Sequence, residues 1–217
     1  MGKILNNVLE SIGKTPLIRI SKLVPPNVEI LVKAESFNPG GSSKDRVGLN
    51  MIEEAEKAGL LKKGALIVEP TSGNTGVGLA LAAAVKGYKL VLTMPDSMSV
   101  ERQKLLAAYG ANLVLTLGAE GMKGAIDAAQ KILQENPGSF MPQQFENEAN
   151  PAIHERTTAE EILDDTDGKV DCFIACVGTG GTLTGTARKL KKVLPEIKII
   201  AVEPADSPLL SGGKAGP

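Results

Sequence analysis

The 217-residue sequence has no tryptophan, two tyrosines, four phenylalanines, one histidine and two cysteines. So few aromatic rings leave no platform on which successive nucleic-acid bases could stack. Basic and acidic residues number 24 and 25, for a formal net charge of −1, so no positive field draws in nucleic acid or an anionic membrane. No apolar run reaches the roughly 18 residues that a membrane span requires. Lys3, Asn6, Asn7 and Glu10 break any apolar stretch near the start, so no signal-peptide pattern is expected. The lone His154 has no cluster of metal-ligating neighbours in sequence, and a packing or surface role in a helix is expected for it, with no metal bound. Cys172 and Cys176 share one apolar segment, where a disulfide between them would strain a strand. Both are expected as buried free thiols in a reducing compartment, the cytoplasm.

What is present describes a globular chain with a real core. Hydrophobic residues make up 42% and charged residues 23%, and the length suits one large domain or two small ones. Apolar, β-rich runs alternate with helical patterns almost from end to end. Strands are expected over 29–33, 65–69, 90–94, 112–116, 171–177 and 197–202, and helices over 45–58, 76–86, 99–109, 121–136, 151–165 and 181–193. Such alternation predicts parallel βαβ units in an α/β fold of three-layer α/β/α domains. Continuously apolar strands such as Ala65-Leu66-Ile67-Val68 are those of a sheet covered on both faces. Proline, glutamine and asparagine replace helix formers over 136–151, which marks a crossing between two domains. The expected division is 38–145 as a smaller domain inserted into a larger one of 1–37 plus 146–217. The acidic run Glu160-Glu161 to Asp164-Asp165 reads as a solvated helix face.

Three glycine-rich loops carry the chemistry. The first, Asn38-Pro39-Gly40-Gly41-Ser42-Ser43-Lys44-Asp45-Arg46, sets Lys44 at the mouth of a helix. There the backbone N–H groups and the positive helix end disfavour its ammonium form and bring a nucleophilic amine within reach. Taken alone, a lysine beside two glycines is more often a solvated first-turn residue. The second loop, Glu69-Pro70-Thr71-Ser72-Gly73-Asn74-Thr75-Gly76, follows a strand and opens a helix. One capping side chain would suffice there; the excess of hydroxyl and amide groups suits a bound carboxylate. The third, Gly178-Thr179-Gly180-Gly181-Thr182, again lies between strand and helix, where successive N–H groups make an anion nest. A dinucleotide fingerprint fails at Leu183, and no Gly-Lys-Ser/Thr of a P-loop follows.

These three motifs, in this order, resemble those of the O-acetylserine sulfhydrylase (cysteine synthase) family, among the fold-type II (tryptophan synthase β-like) pyridoxal phosphate enzymes. Supporting stretches are Met94-Pro95, Met98-Ser99-Val100-Glu101-Arg102, Gln143-Gln144-Phe145-Glu146-Asn147, Asn150-Pro151, Ser207-Pro208 and Leu210-Ser211-Gly212-Gly213. The resemblance covers essentially the whole chain; Ser43 departs from it, since an aliphatic residue usually precedes the lysine.

The resemblance implies that Lys44 holds pyridoxal 5'-phosphate as a Schiff base and shuttles the substrate's α-proton. Asn74 would bond the cofactor's ring oxygen, and Gly178, Thr179, Gly180, Gly181 and Thr182 would cradle its phosphate. Thr71, Ser72, Thr75 and Gln144 would grip the substrate's α-carboxylate, on a small domain mobile enough to close over it. The implied reaction makes L-cysteine from O-acetyl-L-serine and sulfide by β-replacement through an aminoacrylate. The implied partners are a second copy of the chain and serine acetyltransferase, in the cytoplasm. Alternatives sharing the same loops are cystathionine β-synthase or lanthionine synthase activity, and a non-catalytic binder of pyridoxal phosphate or of serine acetyltransferase. Family members also continue beyond the point where this sequence stops. The larger domain is therefore expected to be incomplete here, without the serine that meets the cofactor's pyridine nitrogen.

Overall fold

The structure is a computed structural model describing residues 4–214 and 216. Its strands are β1 (Leu17–Arg19), β2 (Leu31–Lys33), β3 (Leu66–Pro70), β4 (Lys89–Pro95), β5 (Asn112–Thr116), β6 (Cys172–Cys176) and β7 (Lys198–Val202). Its α-helices are α1 (Lys44–Lys57), α2 (Asn74–Lys86), α3 (Val100–Ala108), α4 (Gly121–Glu135), α5 (Ala149–Ile153), α6 (Ala159–Asp165) and α7 (Gly181–Val193). The chain divides into two compact units, Met1–Pro16 with Ala34–Ala149, and Leu17–Lys33 with Asn150–Pro217.

The first unit is a three-layer α/β/α arrangement. Strands β3, β4 and β5 form a parallel sheet in that order, with Val68 opposite Val91 and Thr93 opposite Val114. Phe140 extends the sheet beyond β3, its carbonyl accepting from the Val68 N–H at 2.9 Å and its N–H reaching the Leu66 carbonyl at 2.9 Å. Helix α4 packs on β3, β4 and β5, while α2 meets β4 and α3 meets β5. The α4 surface that is buried consists of Gly124, Ala125 and Ala129, small enough for a close approach. Met51, Ile52, Ile67, Val68, Leu79, Leu92, Met94 and Leu106 are completely buried, each contributing about 1.5–3 kcal/mol of hydrophobic stabilisation.

Helix α2 is apolar all round, Asn-Thr-Gly-Val-Gly-Leu-Ala-Leu-Ala-Ala-Ala-Val-Lys, because α1 covers it on one side and the sheet on another. Glycines make that crossing with α1. A Cβ on Gly78 would stand 2.2 Å from the Lys44 carbonyl oxygen, and one on Gly48 would stand 2.5 Å from the Gly78 carbonyl carbon. The two backbones thus touch directly, and the touch falls on Lys44 itself.

In the second unit, β1 and β2 form an antiparallel pair with Ile18 opposite Val32, and β6 and β7 a parallel pair with Ile174 opposite Ile200. Ala159, Ile162, Leu190 and Ile197 form the core, backed by Phe173 and Ile199. Ile174 is 60% exposed and Ile200 43%, so one face of β6–β7 is open to solvent among the described residues.

Several expectations are corrected. The helix expected over 151–165 is interrupted by a π-helical turn, His154–Thr158, where His154 lies fully buried in the packing role expected for it. The acidic face is not simply solvated: Glu161 and Asp165 take Lys33 at 2.9 and 3.4 Å, and Glu160 pairs with Lys189 at 2.5 Å. Both cysteines are free, but Cys176 is exposed and Cys172 only half-buried, because β6 is covered on one side. Strand β1 was not expected at all. The N-terminal segment 4–16 and residues 34–37 belong to the first unit, tied to its lysine loop by Gly13 and Thr15 as described below.

Candidate active site

Lys44 is the first residue of α1. Its backbone N–H donates to Ser42 Oγ at 3.2 Å, and its amine donates to Ser43 Oγ at 3.3 Å. The preceding loop is pinned from both ends. Asn38 accepts the Gly13 N–H at 2.8 Å and donates to Glu35, and the fully buried Asp45 accepts the Gly40 N–H at 2.5 Å. Glu35 is gripped by Arg46 through Nε and Nη2, both at 2.8 Å, and by the Thr15 hydroxyl at 2.6 Å. The Arg46 cation is 3% exposed, so this side-on carboxylate pair is the charge balance of the loop.

These surroundings set the titration of the site. Burial lowers the Lys44 amine below its ordinary value, while the nearby Glu35 charge opposes the shift. Burial would raise Glu35, but Arg46 and the hydrogen bonds from Arg46, Thr15 and Asn38 together hold it below the usual glutamate range. Asp45 is pushed up to about 6 by burial, against the Gly40 N–H and with the help of the Glu35 charge. The result is an amine of lowered basicity at a helix start.

The second loop converges on one buried bond. The Thr75 hydroxyl donates to Gln144 Oε1 at 2.5 Å, bringing together two residues that are 69 apart in sequence. Gln144 is held there by Glu69 at the sheet's end, whose carboxylate accepts the Gln143 N–H at 2.9 Å and the Gln144 N–H at 3.1 Å. Burial raises the Glu69 carboxyl, and those two N–H groups act against it. The Gly73 N–H donates to Thr71 Oγ1 at 3.2 Å, and Asn74 opens α2. A cavity of about 590 Å³ lies against this loop, lined by Thr71, Ser72, Gly73, Gln144, Met122 and Phe145. Hydroxyl and amide donors beside a helix N-terminus, facing a cavity, have the chemistry to receive a carboxylate.

The third loop stands in the second unit. Gly180, at φ +81°, turns the chain through the left-handed region into α7, so the first N–H groups of a 13-residue helix point outward. Thr179 Oγ1 accepts from Asn150 Nδ2 at 2.9 Å. Thr182 Oγ1 lies 3.2 Å from His154 Nε2, while His154 Nδ1 lies 2.8 Å from Thr158 Oγ1. The buried histidine thus backs the nest from below. A Cβ on Gly178 would meet nothing within 4 Å, leaving the space over the loop open.

The family model for the pyridoxal-phosphate dependent enzymes matches residues 8–216. The chain belongs to that family. A cysteine synthase from Flavobacterium sp. is 56% identical over 211 residues, which is 97% of this chain and 69% of that protein. Among solved structures, a hydrogen sulfide-producing enzyme from Fusobacterium nucleatum superposes with a TM-score of 0.96 at 52% identity, over 100% of this chain and 71% of its own. A cysteine synthase from Entamoeba histolytica gives 0.95 at 49% identity, over 99% of this chain and 65% of its own.

Pyridoxal phosphate calls for an amine and an anion nest, and the residues here fit both. Lys44 supplies a half-buried amine of lowered basicity, and the loop from Gly178 to Thr182 supplies an open nest at a helix N-terminus. Of the residues singled out in the sequence, the first unit holds Lys44, Thr71, Ser72, Asn74, Thr75 and Gln144, and the second holds Gly178, Thr179, Gly180, Gly181 and Thr182. Sequence reasoning missed the residues that hold these in place. Glu35, Glu69, Asn150 and His154 read as ordinary polar residues in sequence, Glu69 even within the second loop, and only their hydrogen bonds to the functional loops reveal their roles.

Proposed function

We propose that this chain makes L-cysteine and acetate from O-acetyl-L-serine and sulfide, with Lys44 as the residue that carries the cofactor. The observation that supports this most is the Lys44 amine: half-buried, lowered in basicity and placed at the start of α1. When bound, pyridoxal phosphate supplies an electron sink for bond-breaking at the amino acid's Cα.

The chain's own residues do the rest. Thr71, Ser72, Thr75 and Gln144 hold the substrate carboxylate, and the Thr75–Gln144 bond presets two of these groups before substrate arrives. The freed Lys44 amine removes the proton from the substrate's Cα, for which a lowered pKa is the right tuning. Acetate then leaves from Cβ, and sulfide takes its place there. The N–H groups from Gly178 to Thr182 would hold the cofactor's phosphate, with Thr179 and Thr182 oriented by Asn150 and His154. Asn74 would be the donor to the cofactor's ring oxygen.

In this reading the unit that holds 38–145 binds the substrate, and the unit that holds 150–217 binds the cofactor's phosphate. The protein works in the cytoplasm as a homodimer, with serine acetyltransferase as a partner. No described helix is long and apolar enough to cross a membrane. The cystathionine, lanthionine and non-catalytic readings are disfavoured by the 56% identity to a cysteine synthase. The test is product formation: cofactor-loaded protein given O-acetylserine and sulfide should release cysteine, and Lys44→Ala should not. Wild-type protein that binds the cofactor yet forms no cysteine would refute the reading.

A further inference from the structure

Helix α3 supplies a side chain to the N-terminus of α2 that neither the carboxylate loop nor the phosphate nest accounts for. Arg102 Nη1 donates to Asn74 Oδ1 at 2.9 Å, across 28 residues of sequence. The position of Arg102 is fixed by its own backbone. Ser99 is the N-cap of α3 and accepts the Arg102 N–H at 3.3 Å, and the next residue, Gln103, donates to the Met98 carbonyl at 2.9 Å.

A guanidinium is a donor only, so the atom of Asn74 that it meets must be the carbonyl oxygen. That contact settles which way the amide faces, and it leaves Nδ2, a pure donor, directed away from Arg102. An amide whose oxygen already accepts a charge-assisted hydrogen bond is also a stronger N–H donor than a free one.

We infer that Arg102 is a positioning residue for cofactor binding: it locks the Asn74 amide with Nδ2 as the donor offered to an anionic ring oxygen. The inference rests on the reading above that Asn74 meets the cofactor's ring oxygen. Arg102 touches neither the cofactor nor the substrate; it acts through Asn74. The chemistry it favours is the ionised form of the ring oxygen, because the partner it presents can donate and cannot accept.

The test is a double-mutant cycle on the full chain, read by pyridoxal phosphate titration and by the pH midpoint of the bound cofactor's visible band. Arg102→Ala should weaken pyridoxal phosphate binding about tenfold. It should also move the band's midpoint upward, since the ring oxygen ionises less readily. Arg102→Lys keeps one donor and should recover most of both effects. Asn74→Ala should weaken binding at least as much, and adding Arg102→Ala to it should cost nothing further, because the arginine then has nothing to position. Side-chain amide NMR of the cofactor-free protein should show the Asn74 NH₂ signals collapsing toward free-amide exchange in Arg102→Ala. The inference is overturned if Arg102→Ala leaves affinity and midpoint unchanged with the fold intact by circular dichroism. It is overturned equally if the two losses simply multiply. An Asn74→Ala variant with wild-type affinity would sink the assignment of Asn74 as well, while the cysteine-forming test stands independently.

Discussion

The crossing of α1 and α2 offers a sharp test of how packing reaches the site. In a helix interior alanine is favoured over glycine by about 1 kcal/mol, so propensity alone predicts that Gly78→Ala stabilises the protein. Packing predicts the opposite. The added Cβ would stand 2.2 Å from the Lys44 carbonyl oxygen, 2.8 Å from its carbonyl carbon and 3.2 Å from the Asp45 Cα. All three are backbone atoms and cannot swing aside, so the helices must part by about 1 Å. Overpacking a tight core costs about 1–3 kcal/mol, and a backbone-to-backbone clash lies at the upper end. The clash wins, for a net loss of about 2 kcal/mol and a fall in Tm of roughly 5 °C. Gly76→Ala, two residues away in the same helix, is the comparison. Its nearest neighbours would be the methyl ends of Leu92 at 3.1 Å, Thr71 at 3.3 Å and Leu106 at 3.4 Å. Side chains can yield there, and the net change should stay within about 0.5 kcal/mol. Urea unfolding of both variants decides the matter. A Gly78→Ala protein as stable as the wild type would refute the direct backbone contact, and with it the account of how α2 fixes the start of α1.

Two charges in the lysine loop make further predictions. Glu35→Gln leaves the buried Arg46 without its carboxylate and should cost about 3 kcal/mol at neutral pH in urea unfolding, as breaking a buried pair does. The folded-state pKa of Glu35 is lowered, so its contribution is complete above the ordinary value of 4.5 and fades as pH falls through the lower folded value; Glu35→Gln should lack that acid limb. Asp45 works the other way. With its folded pKa pushed up to about 6 from 3.8, it favours folding as pH falls between those values. Asp45→Asn, which still offers Gly40 an acceptor oxygen, should gain about 1 kcal/mol at pH 7.5 and lose that advantage by pH 4, followed as Tm against pH. An unchanged difference across that range would show that Asp45 does not titrate there.

The alternation of apolar strands and helical segments was legible in the sequence because both kinds of element are buried enough to be patterned. Strand 112–116 and helix 181–193 lie where the residues predict them. The short β1 escaped because Leu-Ile-Arg carries no period and gains its structure only from pairing with β2. The π-helical turn at His154 escaped because helical spacing looks the same until a buried imidazole must reach both Thr158 and Thr182. The three glycine loops were legible because each packs more glycines and hydroxyl or amide residues into one turn than a structural loop needs. Their supports were not. Glu69 reads as a strand-end carboxylate until its oxygens are seen to hold Gln143 and Gln144, and Arg102 reads as a surface arginine until Asn74 is seen at its tip. Contacts between residues far apart in sequence leave no local signature, and in this protein they are the contacts that aim the reactive groups.

The central claim is that Lys44 is the residue that bonds the cofactor, and reductive trapping tests it most directly. Protein loaded with pyridoxal phosphate is treated with borohydride, digested and mapped by mass spectrometry. The account predicts a single stable phosphopyridoxyl adduct on the peptide containing Lys44, absent in Lys44→Ala. An adduct on another lysine, or none on a protein that has taken up the cofactor, would contradict it.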